Sequence, residues 1–498
     1  MAIRQQGKSA PVARKRSPQA ASGMALVRWQ RPRPWLAAAL SLALTACAVG
    51  PDYVLPPSDL SPAFVHAAPT TDTTPLALDV WWTRFNDPQL SAIITRVLSQ
   101  NLDLAAAQAR VEQARAVARL SSAALLPVGS ANAQVAGQRQ SLESPIGELA
   151  SHQPGYQRNA TLYSAGVGAS WELDLAGGVR RGAEADIAEA QAAEADHMGV
   201  RVSVAAEAAD AYLRVRGAQH RMALATAQLN ADSDLLRLVA LRLHEGMSTQ
   251  REQAQAQARV AQISATLPPL QAERDIQLNR LDVLMGVQPG TYATQLAATA
   301  SEVNIPALAT TLTPRDLLRR RPDVIAAERR LAASSARIGS AVAEYYPQFS
   351  LSALLGFESL HNATPDAANF QPLALLGVRW RLFDFGRVDA EVARAKGVNA
   401  EALARYRQSM LRAAEDVENA LLMQATQEAE RRELLREVDA SARARDSSEE
   451  AYKGGATSLM EVLEQDRELL TARDQLVRAQ TGSARAVVAT FRALGGGW

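Results

Sequence analysis

The chain repeats itself, and this internal duplication constrains its fold more than any other feature of the sequence. Residues 101–127 match residues 321–347, and in both copies an aspartate precedes a proline by 24 positions. Further along, Trp171 matches Trp380 at a smaller offset of 209. The same offset relates three pairs of glycines: Gly177 and Gly386, Gly246 and Gly455, and Gly286 and Gly495. Because the offset changes only once, inside one loop, the sequence predicts two copies of one structural unit.

The duplication also sets the expected domain organisation. We expect a leader at 1–46, an amino-terminal segment at 47–100, a first unit at 101–290, a proline-containing linker at 291–320 and a second unit at 321–498. Each unit should hold a helix, a β-hairpin (128–175 and 348–384), a long helix (178–245 and 387–453) and a return helix (248–285 and 457–494). Pro268 and Pro269 interrupt the first return helix, so a kink is expected there.

The hairpin segments alternate apolar and polar residues with a period of two, from Tyr163 to Leu175 and again over residues 376–382. Residues 349–357 predict a third strand and residues 128–138 a weaker first strand. Each strand then has one apolar face and one face suited to water. Half of a soluble sandwich would give the same pattern. Charge on one face opposite tryptophan on the other, over more than the roughly 9 to 11 residues of a tilted membrane strand, favours a transmembrane barrel.

Four strands are too few to close such a barrel. Open strand edges are not tolerated in lipid, so closure demands several copies of the chain. Three copies would give a barrel of twelve strands, wide enough to leave a lumen. The charged residues expected to face this lumen are Glu172, Asp174, Arg379 and Arg381.

The two long segments lack proline and predict helices of unusual length. Residues 178–245 span 68 positions rich in Ala, Glu, Gln, Arg and Leu, and residues 387–453 span 67. These residue types favour helix, and at 1.5 Å per residue each segment reaches about 100 Å. The fold class expected from the sequence pattern is therefore mainly α with a transmembrane β-barrel, with the long helices packed in a cylinder. A plain coiled-coil rod is the alternative, although a rod would not alternate with hairpins of the membrane type.

The amino-terminal region has the layout of a secretory signal. Arginines precede an apolar or small stretch at 35–46, which is too short to span a bilayer. Residues 44–47, Leu-Thr-Ala-Cys, resemble the bacterial lipobox, in which the thiol of Cys47 becomes the lipid attachment point. A free buried thiol is the alternative for this cysteine, the only one in the chain. Ala48 rather than aspartate after it points to the outer membrane, and Met24 is the expected translation start.

Charge and histidine spacing exclude two classes of function. Lys and Arg number 53 against 52 Asp and Glu, which leaves no basic excess to attract nucleic acid. The six histidines are scattered without the spacing of metal ligands. We therefore expect no enzyme activity, no metal and no cofactor.

Taken together, several short segments resemble outer-membrane efflux proteins of the TolC type, in particular the NodT-like lipoprotein branch. They are Cys47 to Tyr53, Trp81-Trp82 through Phe85, Asp87-Pro88 with Leu90, Ser170 to Leu175, Arg320 to Val324, and Ala327-Glu328-Arg329. The resemblance implies a homotrimer with a twelve-stranded barrel in the outer membrane and a periplasmic cylinder of helices. It also implies an equatorial belt that takes the region from Ile305 to Pro314 and the carboxyl-terminal residues.

The resemblance places the two helix-hairpin turns at the periplasmic end, where the duct narrows and a membrane-fusion adaptor docks. The docking residues would be Gly246, Met247, Gly455 and Ala456. The alternative is that the turns are simple helix caps, which would also explain the two glycines. Glu461 and Glu464 share a helix face and match acidic residues that line the family's closed aperture. Surface pairing of these carboxylates with Arg467 is the alternative.

The remaining aperture residues match the family's latch network in part. Tyr452 matches a latch tyrosine and Glu252 an acidic partner on the first hairpin. The family's basic latch residue falls on Thr457, whereas Arg251 stands where the pattern has a neutral residue. The detailed latch is therefore expected to depart from the family's pattern, with a relocated salt bridge as the alternative.

The resemblance implies passive conduction of drugs or other small toxic compounds. An inner-membrane transporter of the resistance-nodulation-division class would pass substrate through the adaptor into this duct, which contacts outer-membrane lipid. Two alternatives stay open: the duct of a type I protein secretion system, and a non-conducting periplasmic scaffold lipoprotein.

Overall fold

The computed structural model describes residues 48–58, 60–67, 78–296, 304–306 and 313–498. Cys47, the leader, the start at Met24 and part of the expected linker lie outside these ranges. Among the residues described, no helix has both the length and the apolar composition to cross a membrane.

The order of elements repeats along the chain, as the duplication predicts. The helices are α1 (Pro88–Gln100), α2 (Leu102–Ala123), α3 (Pro145–Ser151), α4 (Gly178–His244), α5 (Gln250–Ser264), α6 (Leu267–Leu284), α7 (Ala293–Leu296), α8 (Pro314–Arg320), α9 (Pro322–Ala343), α10 (Arg387–Lys453) and α11 (Leu459–Ala493). The strands are β1 (Val128–Arg139), β2 (Asn159–Leu173), β3 (Gln348–Ser359) and β4 (Phe370–Arg379). A 3-10 helix covers Trp81–Phe85. The mainly helical class with four strands is confirmed.

The two long helices, α4 and α10, are equivalent in detail. Each has 67 residues, which gives about 100 Å at 1.5 Å per residue. Each begins after a glycine in the left-handed region, Gly177 at φ 82° and Gly386 at φ 81°. Such a φ is costly for a residue with a Cβ, which explains the glycine at both positions.

The return helices differ between the units. In the second unit α11 runs unbroken for 35 residues. In the first unit α5 ends at Ser264 and α6 starts at Leu267, so that Pro268 and Pro269 fall in the first turn of the new helix. Proline fits there because the first helical amides have no intrahelical acceptor. The expected interruption is present.

The four strands form one antiparallel sheet in the order β1-β2-β3-β4. Ala165 lies opposite Ala133 on β1 and Phe357 on β3, and Leu351 lies opposite Trp171 and Leu376. Residues directly opposite share a face, so the alternating apolar sets of all four strands line up on one side. We call this side the apolar face: Gly129, Ala131, Ala133, Val135, Tyr163, Ala165, Val167, Ala169, Trp171, Phe349, Leu351, Ala353, Leu355, Phe357, Phe370, Pro372, Ala374, Leu376 and Val378.

The apolar face is exposed in a single chain. Leu355 is 57% exposed and Leu376 64%. Among the residues described, β1 and β4 each pair on one side only, so both outer edges keep unpaired backbone groups. A lone chain therefore leaves both the apolar face and two strand edges unsatisfied.

Both strand ends fall short of the sequence prediction. β2 ends at Leu173, and the carboxylate of Asp174 instead accepts the amides of Val179 (3.2 Å) and Arg180 (2.8 Å) at the start of α4. β4 ends at Arg379, so Arg381 also lies beyond the sheet. A strand placement for these two residues was wrong because the first free amides of a long helix need acceptors, and the chain turns early to supply them.

The hydrophobic core lies where the middle of α4 meets α1 and the end of α11. Trp81 is fully buried and stacks on Phe491 with ring centroids 5.2 Å apart. Buried Tyr212 on α4 donates a hydrogen bond to Asp87, the residue that caps α1, at 2.6 Å. Ile305 packs against this core, and Leu494 is buried within it. The carboxyl-terminal residues therefore tie together elements from both units.

Candidate channel residues and their setting

The two hairpin turns have the same hydrogen-bonded geometry. Gly246 and Gly455 both have φ 75°. The amide of Met247 reaches back to the carbonyl of Arg242 at 2.7 Å, and the amide of Ala456 reaches back to Ala451 at 2.8 Å. This is the Schellman arrangement, which satisfies the last helical carbonyls. Met247 is 63% exposed and Ala456 is exposed, so the turns present side chains to solvent in the single chain.

The acidic pair on α11 takes part in local contacts. Glu461 lies in the first turn of α11 and accepts a hydrogen bond from the hydroxyl of Thr457. Glu464 forms an ion pair with Arg467 one turn later. Both carboxylates remain exposed. Glu464 therefore makes the surface pairing with Arg467 that was the alternative for this site. Two acidic side chains still lie beside the second turn.

Glu252 serves as the cap of α5. Its carboxylate accepts hydrogen bonds from the Ser248 hydroxyl (2.7 Å) and the Thr249 amide (2.8 Å), while its own amide donates to the Thr249 hydroxyl (3.2 Å). These bonds hold the pKa of Glu252 below its usual value, with the Ser248 hydroxyl the largest cause. Arg251 is exposed and forms no ion pair with any residue that the structure describes. A pairing of Arg251 with Glu252 or Tyr452 is therefore absent from these residues.

Tyr452 has a partner on the first helix hairpin, which α4 and α5 form. That partner is Arg242. The Arg242 guanidinium donates to the Tyr452 hydroxyl at 2.7 Å, between the last turn of α4 and the last turn of α10. Arg242 is not among the residues that the sequence pattern predicts for the aperture. Arg242 and Ala451 are equivalent positions, each four residues before a turn glycine, Gly246 or Gly455. The first unit therefore has an arginine where the second has an alanine, and this difference between the units could have singled out Arg242.

Further arginines bridge α4 and α5 to α11. Arg221 contacts Asp474 at 2.7 Å, and Arg485 pairs with Asp210. These two contacts are 11 residues apart along both helices, about three turns, so they lie on one stripe. The Arg259 guanidinium donates to the carbonyl of Leu463. We call this row, together with Arg242 and Tyr452, the interhairpin seam.

The residues expected in the lumen separate into two pairs. Glu172 and Arg379 lie on the polar face of the sheet: Glu172 is opposite Ser350, and Arg379 is opposite Gln348, to which its guanidinium donates at 3.1 Å. Asp174 caps α4, as described above. Arg381 pairs with Glu344 at 2.8 Å, at the carboxyl end of α9.

The segment Ala48–Tyr53, here called the tether, lies along the start of α4 and against α9. The amide of Val49 donates to Ala176 at 3.0 Å, and Arg181 contacts Asp52 at 2.6 Å. Tyr53 donates a hydrogen bond to Glu328 on α9 at 2.6 Å. Gly50 has φ 94°, and a Cβ there would lie 2.3 Å from the Cα of Gly339. Only glycine fits this contact.

Comparison with protein families identifies the chain. The model of the outer membrane efflux protein family matches residues 93–287 and 313–496, which are the two repeated units. The chain belongs to this family. As an outer-membrane efflux channel it acts in the cell outer membrane and is not an enzyme.

Individual relatives match over nearly their whole length. The pyoverdine export outer membrane protein OpmQ of Pseudomonas putida is 34% identical over 474 residues, 94% of this efflux protein and 98% of the relative. The toluene efflux pump outer membrane protein TtgF of Pseudomonas putida is 30% identical, with 93% and 97% covered. Among solved structures, the outer-membrane channel OprN is 34% identical with a TM-score of 0.81, covering 91% of this chain and all of that one.

Proposed function

We propose that the chain is the duct of a tripartite efflux pump, formed by three copies that share one barrel and one helical cylinder. The observation that carries this proposal is the exposed apolar face, bounded by two unpaired strand edges. In lipid, each unpaired backbone group costs several kcal/mol, so a four-stranded sheet is stable there only when its edges meet other strands. Three sheets of four strands pair every edge.

The helices supply the periplasmic part of the duct. α4 and α10 carry the chain about 100 Å from the sheet to the two turns. A periplasmic adaptor docks at Gly246, Met247, Gly455 and Ala456, and a transporter of the resistance-nodulation-division class drives substrate through it. The conducted compounds are small molecules. The names of two relatives, a pyoverdine export protein and a toluene efflux pump protein, support this class over protein secretion. Lipid at Cys47 anchors each copy in the outer membrane.

The aperture lies at the turns, and its charge is acidic. In a trimer Glu461 and Glu464 form two rings of like charge, which favour cations over anions. The interhairpin seam holds the two hairpins of one copy together beside these rings.

Bilayer recording of the purified protein tests the proposal. Light scattering in detergent is expected to give a trimer, and a KCl gradient across a planar bilayer is expected to give cation-selective conductance. Replacing Glu461→Gln and Glu464→Gln together lowers the cation preference. Glu433→Gln on α10, an exposed carboxylate far from the turns, leaves the preference unchanged. A trimer that never conducts, even with both carboxylates neutralised, would favour the scaffold alternative.

Deletion of the gene tests the substrate class. Sensitivity to a panel of antibiotics, dyes and aromatic acids is expected to rise, and complementation by the intact gene reverses it. Loss of a secreted protein with unchanged sensitivity would favour the secretion alternative.

A further inference from the structure

The two strand-to-helix junctions are equivalent in the sequence and differ in their surroundings. Junction 1, residues 174–177, joins β2 to α4, and junction 2, residues 380–386, joins β4 to α10. Because β2 and β4 are both antiparallel to β3, they run in the same direction and end at the same edge of the sheet. The two junctions therefore lie at one level.

Junction 1 is covered by the tether. Val49 donates to the carbonyl of Ala176 at 3.0 Å, and a Cβ on Gly177 would lie 2.6 Å from the Cβ of Ala48. Ala48 directly follows Cys47 in the chain. A lipid on that cysteine is thus attached one residue from a group that touches junction 1.

None of the residues that the structure describes covers junction 2 in this way. A Cβ on Gly386 would meet no described atom within 4 Å. Two phenylalanine side chains project from the junction, Phe383 at 89% exposure and Phe385 at 102%. Phe385 has φ 55°, a left-handed conformation that is disfavoured for a bulky residue. Its equivalent in the first unit, at the offset of 209, is Ala176. The second unit thus keeps an aromatic residue at a conformational cost, in the place where the first unit has a small residue under the tether.

We propose that junction 2 is a membrane anchor, in which Phe383 and Phe385 insert into the inner leaflet of the outer membrane at the level where the Cys47 lipid enters at junction 1. The proposal rests on the proposed lipid anchor and barrel. Continuity with the apolar face supports lipid as the occupant, since Trp380 (55% exposed) and Leu382 (64%) connect β4 to the two phenylalanines. Aromatic residues form girdles at both interfaces of transmembrane β-barrels. For Phe383 and Phe385 the gain comes from moving an apolar ring out of water to the boundary between headgroup and acyl chain.

Site-directed fluorescence quenching tests the anchor. Cys47 is the only native cysteine, and lipid attachment consumes its thiol. Phe385→Cys and, separately, Phe383→Cys are labelled with bimane and reconstituted in phosphatidylcholine vesicles. The vesicles carry a nitroxide on the headgroup or deep in the acyl chain. We expect loss of bimane fluorescence with the headgroup nitroxide and a smaller loss with the deep one.

Two matched labels separate failure of the anchor from failure of the proposed barrel. Ala374→Cys lies in the middle of β4 on the apolar face and is expected to be quenched by the deep nitroxide. Ala456→Cys lies at the second hairpin turn and is expected to be quenched by neither. Unquenched labels at 383 and 385 with a quenched label at 374 would overturn the anchor and point to water or a second copy at junction 2. An unquenched label at 374 would overturn the barrel in lipid itself.

Discussion

At the residue scale, the contact between Arg242 and Tyr452 is the only direct side-chain bond described between the ends of the two long helices. Tyr452→Phe removes the acceptor oxygen and keeps the ring. A partly buried hydrogen bond of this kind stabilises by about 1 kcal/mol, so its loss is expected to shift an equilibrium between closed and open apertures roughly five-fold toward open. Single-channel recording measures this as increased open probability.

Tyr346→Phe is the matched control, because Tyr346 is 47% exposed and precedes β3, far from the turns. Its open probability should equal that of the native channel. If Tyr452→Phe also leaves open probability unchanged, the contact packs the hairpins without restraining the aperture.

The cap at Glu252 gives a prediction about pH. Hydrogen bonds lower the pKa of this carboxyl in the folded chain below the ordinary value of 4.5. A group with a depressed folded pKa stabilises fully above its unfolded pKa, and the stabilisation disappears as pH falls through the folded value. Amide exchange at the start of α5, corrected for intrinsic rates, should therefore stay slow at neutral pH and speed up below pH 4.5. In Glu252→Ala exchange should be fast throughout, and a native profile independent of pH would contradict the cap.

At the element scale, the proposed docking role of the turn residues is separable from their role in the fold. The glycines adopt the left-handed backbone conformation that the turns need. The Met247 side chain, 63% exposed, contributes little to the fold of one chain. Met247→Ala is expected to change the free energy of unfolding by less than about 0.5 kcal/mol and yet to weaken binding of the adaptor. Crosslinking or calorimetry with the purified adaptor measures this. Met423→Ala, an exposed methionine midway along α10, should bind normally; equal binding by both variants would remove the first turn from the docking surface.

The helices and the register of the sheet follow from local pattern, which is why the sequence predicts them well. The duplication, the absence of proline and the period of two place α4, α10 and the first three strands within four residues of their observed bounds, whereas β4 begins six residues before the expected 376–382. Strand ends were less predictable. The capping carboxylate is three residues before the glycine in the first unit, Asp174, and two before it in the second, Asp384. An exact offset of 209 between the units would have placed both capping carboxylates at the same distance from the glycine.

Contacts across the seam could not be predicted from the sequence. Whether Arg242 meets Tyr452, or Arg221 meets Asp474, depends on how far two helices slide past each other. A shift of one turn, 5.4 Å, would change every partner without altering the local pattern. The family's latch therefore suggested Tyr452 but not the residue that it contacts.

At the scale of the whole molecule, the apolar face decides where the chain is stable. Leu355 and Leu354 are neighbours on β3 with side chains on opposite faces of the sheet. Leu355→Arg is expected to cost about 2–4 kcal/mol per copy near the bilayer midplane, whereas Leu354→Arg points to the polar side and costs much less. The fraction of trimer that survives in unheated detergent gels measures the difference. A tolerated Leu355→Arg beside a defective Leu354→Arg would reverse the assigned faces.

The tether also constrains the order of assembly. Tyr53 leaves the ribosome early, yet its partner Glu328 comes 275 residues later, and Gly50 needs Gly339 from the same helix. During export the amino-terminal segment thus crosses the inner membrane long before its binding site exists. The tether of each newly made copy therefore docks only after α9, the first helix of the second unit, has followed.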